Sequence, residues 1–232
     1  MIASPWLEFE PYGAASLDSV DIQKFIRAKL PVGPVPAIPE IRLHRAGPSS
    51  GLWRLAEADD QGFGSPYWAY CWAGGLALAR HILNRPQTVA GRRVLDLGAG
   101  SGIVGIAATK AGAGAVMAAE VDRYAIEALK LNAAANGVAL EAIHADLTAG
   151  PPPAVDMVAV GDLFYDQSLA ERVTAFLDRC LDAGIEVLIG DPWRAWLPRS
   201  RLRVIAEYSV SDMGVAETGD IRPSAVFAFE RL

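Results

Sequence analysis

Arg93-Val94-Leu95-Asp96-Leu97-Gly98-Ala99-Gly100-Ser101-Gly102 is the stretch from which the rest of the chain can be read. Val94, Leu95 and Leu97 make a short β-strand, and glycines then take over. Glycine lets the backbone turn sharply and approach a ligand closely. Ile103-Val104-Gly105-Ile106-Ala107-Ala108 begins a helical pattern, whose first turn offers unpaired N–H groups. Eighteen residues beyond Gly102, the apolar run Ala115-Val116-Met117-Ala118-Ala119 ends in Glu120. An acid at the tip of the second strand is positioned to accept both hydroxyls of a ribose. Strand, glycine turn, helix, strand and acid together predict a nucleoside-cofactor site in an α/β sheet.

The type of nucleoside follows from Asp96. A dinucleotide fingerprint sets pyrophosphate on the helix end. A carboxylate beside the turn repels pyrophosphate and suits a ligand carrying an amino group. S-adenosylmethionine has an α-ammonium, a ribose and an adenine, and no phosphate. The pattern V-L-D-L-G-x-G-x-G followed by A-x-E-V-D resembles motif I and the second-strand acid of Rossmann-like, seven-strand methyltransferases that use S-adenosylmethionine.

The chain has 232 residues, 52% of them hydrophobic, enough for one sizeable α/β domain plus an extension. No uncharged apolar run is long enough to span a bilayer. Met1 to Glu10 has no basic region, no long apolar segment and no Arg, which argues against a signal or transit peptide and for a cytoplasmic protein. Cys71 and Cys180 sit in apolar helical contexts and read as buried thiols; no metal-ligand spacing occurs. The net charge of −6 and the lack of a Lys/Arg cluster argue against nucleic-acid binding.

Along the chain, Ser16 to Leu30 carries a helical apolar face, with Ser16 or Asp18 as its cap. Pro31-Val32-Gly33-Pro34-Val35-Pro36 reads as an extended linker, Ile38 to His44 as a short strand, and Asp59-Asp60-Gln61-Gly62 as a turn. Residues 1–65 are expected to be an extension packed on the core, and residues 66–232 the Rossmann-like domain. Tyr67 to Leu83 sets Tyr67, Trp68, Tyr70 and Trp72 before Gly74-Gly75 and an Ala/Leu-rich helix. Trp68 and Trp72 either pack into the core or shield the cationic sulfonium of the cofactor. His81 reads as a packing residue. Strands follow at 93–98, 115–121, 140–145, 155–162 and 186–191. Helices lie at 102–111, 123–136 and 167–181. Two β-rich runs, 201–210 and 225–232, suit antiparallel strands closing the sheet. Asp146, at the end of the third strand, either bonds the adenine amine or caps a turn.

Ligands in open α/β sheets bind outside the carboxyl ends of the strands. The fourth strand ends in Asp162-Leu163-Phe164-Tyr165-Asp166. A carboxylate there suits an ammonium, and the aromatics suit an alkyl channel, so a lysine side chain fits. Only about one free lysine in a thousand is neutral at pH about 7.4. A nearby carboxylate raises an amine's pKa. Asp162 is therefore expected to capture and orient the amine. The bland alternative has Asp162 capping the next helix and Phe164 in the core.

Pro66-Tyr67-Trp68-Ala69-Tyr70-Cys71-Trp72-Ala73-Gly74-Gly75, motif I, Gly161-Asp162-Leu163-Phe164-Tyr165-Asp166, and Gly190-Asp191-Pro192 with Leu197-Pro198 resemble the electron transfer flavoprotein beta subunit lysine methyltransferases; Pro39-Glu40-Ile41-Arg42-Leu43-His44 is similar to their N-terminal region. The resemblance spans nearly the whole chain. It implies transfer of methyl groups from S-adenosylmethionine to lysines of that flavoprotein subunit, releasing S-adenosylhomocysteine. It implies Asp162, Phe164 and Tyr165 at the substrate and catalytic site. The cofactor site would comprise Trp68, Trp72, Gly75, Asp96, Gly98, Gly100, Gly102, Glu120, Val121, Asp146 and Leu147. The mitochondrial members carry a presequence, and the lack of one here suggests a bacterial relative. Trp193 departs from the glycine expected after Asp191-Pro192. Other readings are a ribosomal-protein methyltransferase, a small-molecule amine methyltransferase, and a non-catalytic regulator that binds S-adenosylmethionine.

Overall fold

Asp18 starts the first helix of the computed structural model by accepting a hydrogen bond from the Asp21 amide at 2.8 Å. The structure describes residues 18–47, 50–52, 55, 59, 63–211 and 221–231. Ser16, Met1 to Glu10 and Asp60-Gln61-Gly62, each read above from the sequence, lie outside the described residues. Helix α1 (Ser19–Lys29) buries Ile22 and Ile26 against Tyr124, Ala125 and Ala128.

The proline-rich segment after α1 is not a linker. Strand β1 (Val32–Val35) pairs antiparallel with β2 (Ile38–His44). Composition misleads here because a proline lacks only the N–H. In a two-stranded ribbon Pro34 can turn that edge outward. Val35 and Ile38 are fully buried and anchor the turn between the strands. Ile38, Ile41 and Leu43 join the core beneath the main sheet.

The rest alternates as expected: α2 (Ala73–Asn84), β3 (Arg93–Leu97), α3 (Ile103–Lys110), β4 (Ala115–Glu120), α4 (Arg123–Ala135), β5 (Glu141–His144), β6 (Met157–Gly161), α5 (Gln167–Asp182), β7 (Glu186–Asp191), β8 (Leu202–Ser211) and β9 (Ile221–Phe229). The seven-stranded sheet has the order β5-β4-β3-β6-β7-β9-β8. Strands β3 to β7 are parallel, and β9 and β8 close the sheet antiparallel. Residues 212–220, between β8 and β9, lie outside the described residues.

Side chains alternate across a strand. Val94 packs into the cluster under α2 and α3, whereas Leu95 and Leu97 pack with Val173, Phe176 and Leu177 of α5. Helices therefore cover both faces. The strand order reverses between β3 and β6, which opens a crevice at their carboxyl ends. Cys71 and Cys180 are free and buried. His81 is buried with Nδ1 3.1 Å from the Tyr208 hydroxyl, a packing role. Among the described residues no helix is long and apolar enough to cross a membrane.

Candidate functional site

A cavity of about 840 Å³ opens at the crevice between β3 and β6. Its floor is the glycine turn. Gly98, Gly100 and Gly102 have φ of 67°, 50° and 80°, in the left-handed region that side chains disfavour. The Gly98 and Ala99 amides donate to the Ala119 carbonyl at 2.9 and 3.0 Å. The Gly100 amide donates to Glu120 Oε2 at 2.9 Å, and Glu120 Oε1 accepts from the Val121 and Asp122 amides. The two halves of the sequence motif are thus joined by hydrogen bonds at the cavity wall.

Two further acids line this space. Asp96 points to the helix side of β3, where Oδ2 accepts from the Gly105 amide at 2.8 Å. It is 1% exposed, and burial pushes its carboxyl up to about 7. Asp146 caps the turn 147–149: Oδ1 accepts from the Thr148 amide and hydroxyl, which lowers its pKa. The turn-capping alternative is realised, and Asp146 also lines the cavity beside Leu147 and Val121.

Strand β6 ends at Gly161, and Asp162 leaves it with φ 61°. Its carboxylate faces the start of α2. Oδ1 accepts from the Gly74 amide at 3.1 Å, and Oδ2 from the Gly75 amide at 2.6 Å. Arg194 Nη2 donates to Oδ1 at 2.7 Å. Asp162 therefore caps α2, not the helix that follows it. That helix, α5, is capped by Asp166, which accepts from the Leu169 amide at 2.9 Å. Burial raises the Asp162 pKa, with Arg194 and the two amides opposing.

Phe164 corrects the sequence reading. It is 0% exposed and packs with Val173, Phe176 and Leu177, so it cannot line a substrate channel. The left-handed residue at Asp162 re-aims the chain, and Tyr165 takes the exposed place. Its ring lies 5.6 Å from Tyr67, which lies 5.5 Å from Trp72. The Trp72 indole donates to the Tyr67 carbonyl at 2.8 Å. Trp68 combines both of its alternatives: it packs with Ile26 and Tyr124 in the core, and it lines the cavity. Its indole N–H is buried without a hydrogen-bond partner among the described residues.

Arg194 is the site residue that sequence reasoning missed. Its amide donates to Asp191 Oδ1 at 2.7 Å, and its guanidinium lies 5.8 Å from the Trp72 ring. Only its place just past Asp191-Pro192-Trp193, at the end of a strand, could have flagged it. Trp193 has φ 63°, the backbone a glycine would favour, and its ring packs on Phe227 at 4.8 Å. The loop keeps a glycine-type turn while adding an aromatic anchor.

These buried acids set a pH dependence of stability. Asp96 and Asp191 are both raised to about 7 by burial, and Asp122 and Asp162 are raised too. Between about pH 5 and 7 these four acids hold more protons in the folded chain than in the unfolded chain, so stability falls as pH rises through that window. Buried His81, with its pKa lowered, opposes this below about 6.5. Glu40, Glu127, Asp146, Asp156 and Asp166, whose pKa values are lowered, also oppose it, but only below about pH 5, so above that the raised acids dominate. The melting temperature at pH about 6 should exceed that at pH about 8 by several degrees. A scan giving the reverse order would refute the assignment.

Comparison with known proteins agrees with the geometry. A family model described as ribosomal protein L11 methyltransferase matches residues 79–162, the core of the crevice. The electron transfer flavoprotein beta subunit lysine methyltransferase of Xenopus laevis is 39% identical over 201 residues, 84% of this chain and 81% of the relative. The protein of that name from Homo sapiens is 32% identical over 225 residues, 94% and 86%. Among solved structures, a putative RNA methyltransferase from Pyrococcus horikoshii superposes with a TM-score of 0.54 at 19% identity. It covers 78% of this chain and 98% of that one, a likeness of fold alone.

Proposed function

The chain belongs to the electron transfer flavoprotein beta subunit lysine methyltransferase family, and from that premise we propose that it methylates lysine side chains of that flavoprotein subunit with S-adenosylmethionine as donor. One observation carries the reading. A buried carboxylate, Asp162, stands at the strand end beside the cofactor crevice, with Tyr67, Trp72 and Tyr165 around it. That set suits a long alkyl chain ending in an amine.

The residues present fit the donor. The cavity volume is of the right order for a nucleoside with an amino-acid tail. Glu120 would take the ribose hydroxyls, and Asp96 the α-ammonium. Asp146, Val121 and Leu147 would flank the adenine, and the buried Trp68 N–H, without a partner among the described residues, would supply a donor for a ligand. When bound, S-adenosylmethionine supplies a methyl group on a sulfonium, transferred in line to a neutral amine. The chain's task is then alignment. Asp162, fixed by two amides and Arg194, orients the amine. Tyr165 and Tyr67 strip water from the alkyl stem, and desolvation lowers an amine's pKa.

The test is intact mass of recombinant electron transfer flavoprotein after incubation with this protein and S-adenosylmethionine. Mass steps of one methyl group on the beta subunit support the proposal. A second reading, ribosomal-protein methylation, draws on the family-model match, but that match covers only residues 79–162. Methylation of ribosomal protein and not of the flavoprotein would favour it. For the cofactor site, Glu120→Ala removes an acceptor of three amides. Its dissociation constant for S-adenosylhomocysteine by calorimetry should rise about tenfold or more, since a hydrogen bond to a charged group is worth about 1.5–3 kcal/mol. An unchanged constant would remove Glu120 from the site.

A further inference from the structure

Asp162 creates a difficulty for the chemistry it serves. A carboxylate beside a lysine stabilises the ammonium, and the ammonium has no lone pair to accept a methyl group. Arg194 is set against that effect. Its guanidinium pairs at 2.7 Å with Asp162 Oδ1, which also accepts from the Gly74 amide, and Oδ2 accepts from the Gly75 amide and keeps a lone pair for the substrate amine. The start of α2 adds the positive end of a helix dipole. The Arg194 side chain is only 19% exposed, so its charge is poorly screened.

We infer that Arg194 is a positioning residue of this site, which balances the charge of Asp162 so that the carboxylate orients the substrate amine without holding it protonated. The inference rests on the lysine-methylation reading above. The surroundings of the pair are consistent with it. Asp162 comes from β6 and Asp191 from β7. Tyr67 and Trp72 come from the segment before α2, and Tyr165 from the turn before α5. Glu120 and Asp166 act on Tyr165 from further away. Asp191 holds Arg194 in place: Oδ1 accepts its amide at 2.7 Å and Oδ2 lies 3.7 Å from Nε. Burial pushes the Asp191 carboxyl up to about 7. Paired at 2.7 Å, the charges of Asp162 and Arg194 oppose each other where the amine must sit. The same geometry admits a rival role, in which Arg194 merely occupies the lysine site and leaves when substrate arrives.

The experiment uses wild type, Arg194→Met and Arg194→Lys, with recombinant electron transfer flavoprotein as substrate and saturating S-adenosylmethionine. The turnover rate is followed from pH about 6.5 to 10, and KM is measured in parallel. Without Arg194 the bare carboxylate should raise the bound amine's pKa by about one unit or more, so Arg194→Met loses about tenfold in kcat near pH 7.5 and recovers it at high pH. Arg194→Lys, which keeps the charge, should follow the wild-type profile. A second readout needs no turnover. Calorimetry in two buffers of different ionisation enthalpy counts protons released when flavoprotein binds in the presence of S-adenosylhomocysteine, and Arg194→Met should release fewer than wild type. A pH-independent loss with unchanged proton release would overturn the inference and leave Arg194 a structural strap. A lower KM at unchanged kcat would overturn it in favour of the rival. If wild type itself does not methylate the flavoprotein, the substrate reading fails and the inference falls with it. Turnover by wild type with an unshifted Arg194→Met profile defeats the inference alone.

Discussion

Asp162→Asn is expected to lower the rate of methyl transfer by about 100-fold or more while the chain still folds. Alignment is the enzyme's main contribution to an in-line transfer, and a misplacement of about 1 Å can cost that much. Asn keeps the size of the side chain and one acceptor oxygen. It loses the charge, and its NH2 group opposes either the Gly75 amide or Arg194, both of which now donate to the carboxylate. A buried donor left unmet costs about 1–3 kcal/mol, so the variant should melt lower yet remain folded. Asp162→Ala is a poorer probe. It strands two amides and a guanidinium, and breaking a buried pair costs about 3–5 kcal/mol. The measurement is the mass time course on the flavoprotein beta subunit beside a thermal melt. Near-wild-type activity for Asp162→Asn would reduce Asp162 to a cap of α2.

Gly74→Ala should be strongly disruptive. A Cβ at Gly74 would stand 2.2 Å from the Gly190 carbonyl oxygen and 2.8 Å from Asp162 Oδ2. The obstacle is backbone of β7, which has no rotamer to escape into. Helix α2 would have to move off the sheet by about 1 Å, and overpacking of this kind costs about 1–3 kcal/mol, occasionally more. The shift would also carry the Gly74 and Gly75 amides away from Asp162, so activity should fall with stability. Gly75→Ala is the contrast for stability. Its Cβ would meet Ile103 at 3.5 Å and Asp162 at 3.6 Å, ordinary contacts, and alanine gains about 0.5–1 kcal/mol over glycine inside a helix. Urea unfolding of both variants checks this. Equal stability losses would mean that the close approach of α2 to β7 is not what constrains residue 74.

The crevice was legible in the sequence because its parts are local. Gly98, Gly100 and Gly102 sit where the backbone must turn left-handed, and that demand is written into residue type. Glu120 follows at the spacing of one strand-helix-strand unit, so its place beside the turn needed no tertiary knowledge. The strands between 93 and 191 lie within about two residues of where their apolar runs predict, as expected when each run must fill one layer. Pro31 to Pro36 reads as a linker although its residues 32–35 form a strand, because proline content argues against a helix but does not argue against pairing with a strand a few residues on. Residue type leaves Asp146 a choice between two roles, and its Thr148 contacts make it the cap of the turn while leaving it on the cavity wall.

By itself, then, the sequence determined the α/β sheet, the family and the crevice at the strand ends, because period, glycine placement and strand-end acids act over a few residues. Tertiary structure decided the end of the cavity at Asp162. Which of Phe164 and Tyr165 faces the cavity depends on the left-handed turn at Asp162, a conformation that aspartate tolerates but that its presence alone does not announce. Gly74 and Gly190 let α2 meet β7 backbone to backbone, although 116 residues separate them in the chain. The charge balance at Asp162 comes from Arg194, 32 residues away on another loop. Contacts of that kind leave no periodicity in a sequence, because they are fixed by where the sheet brings its strand ends together.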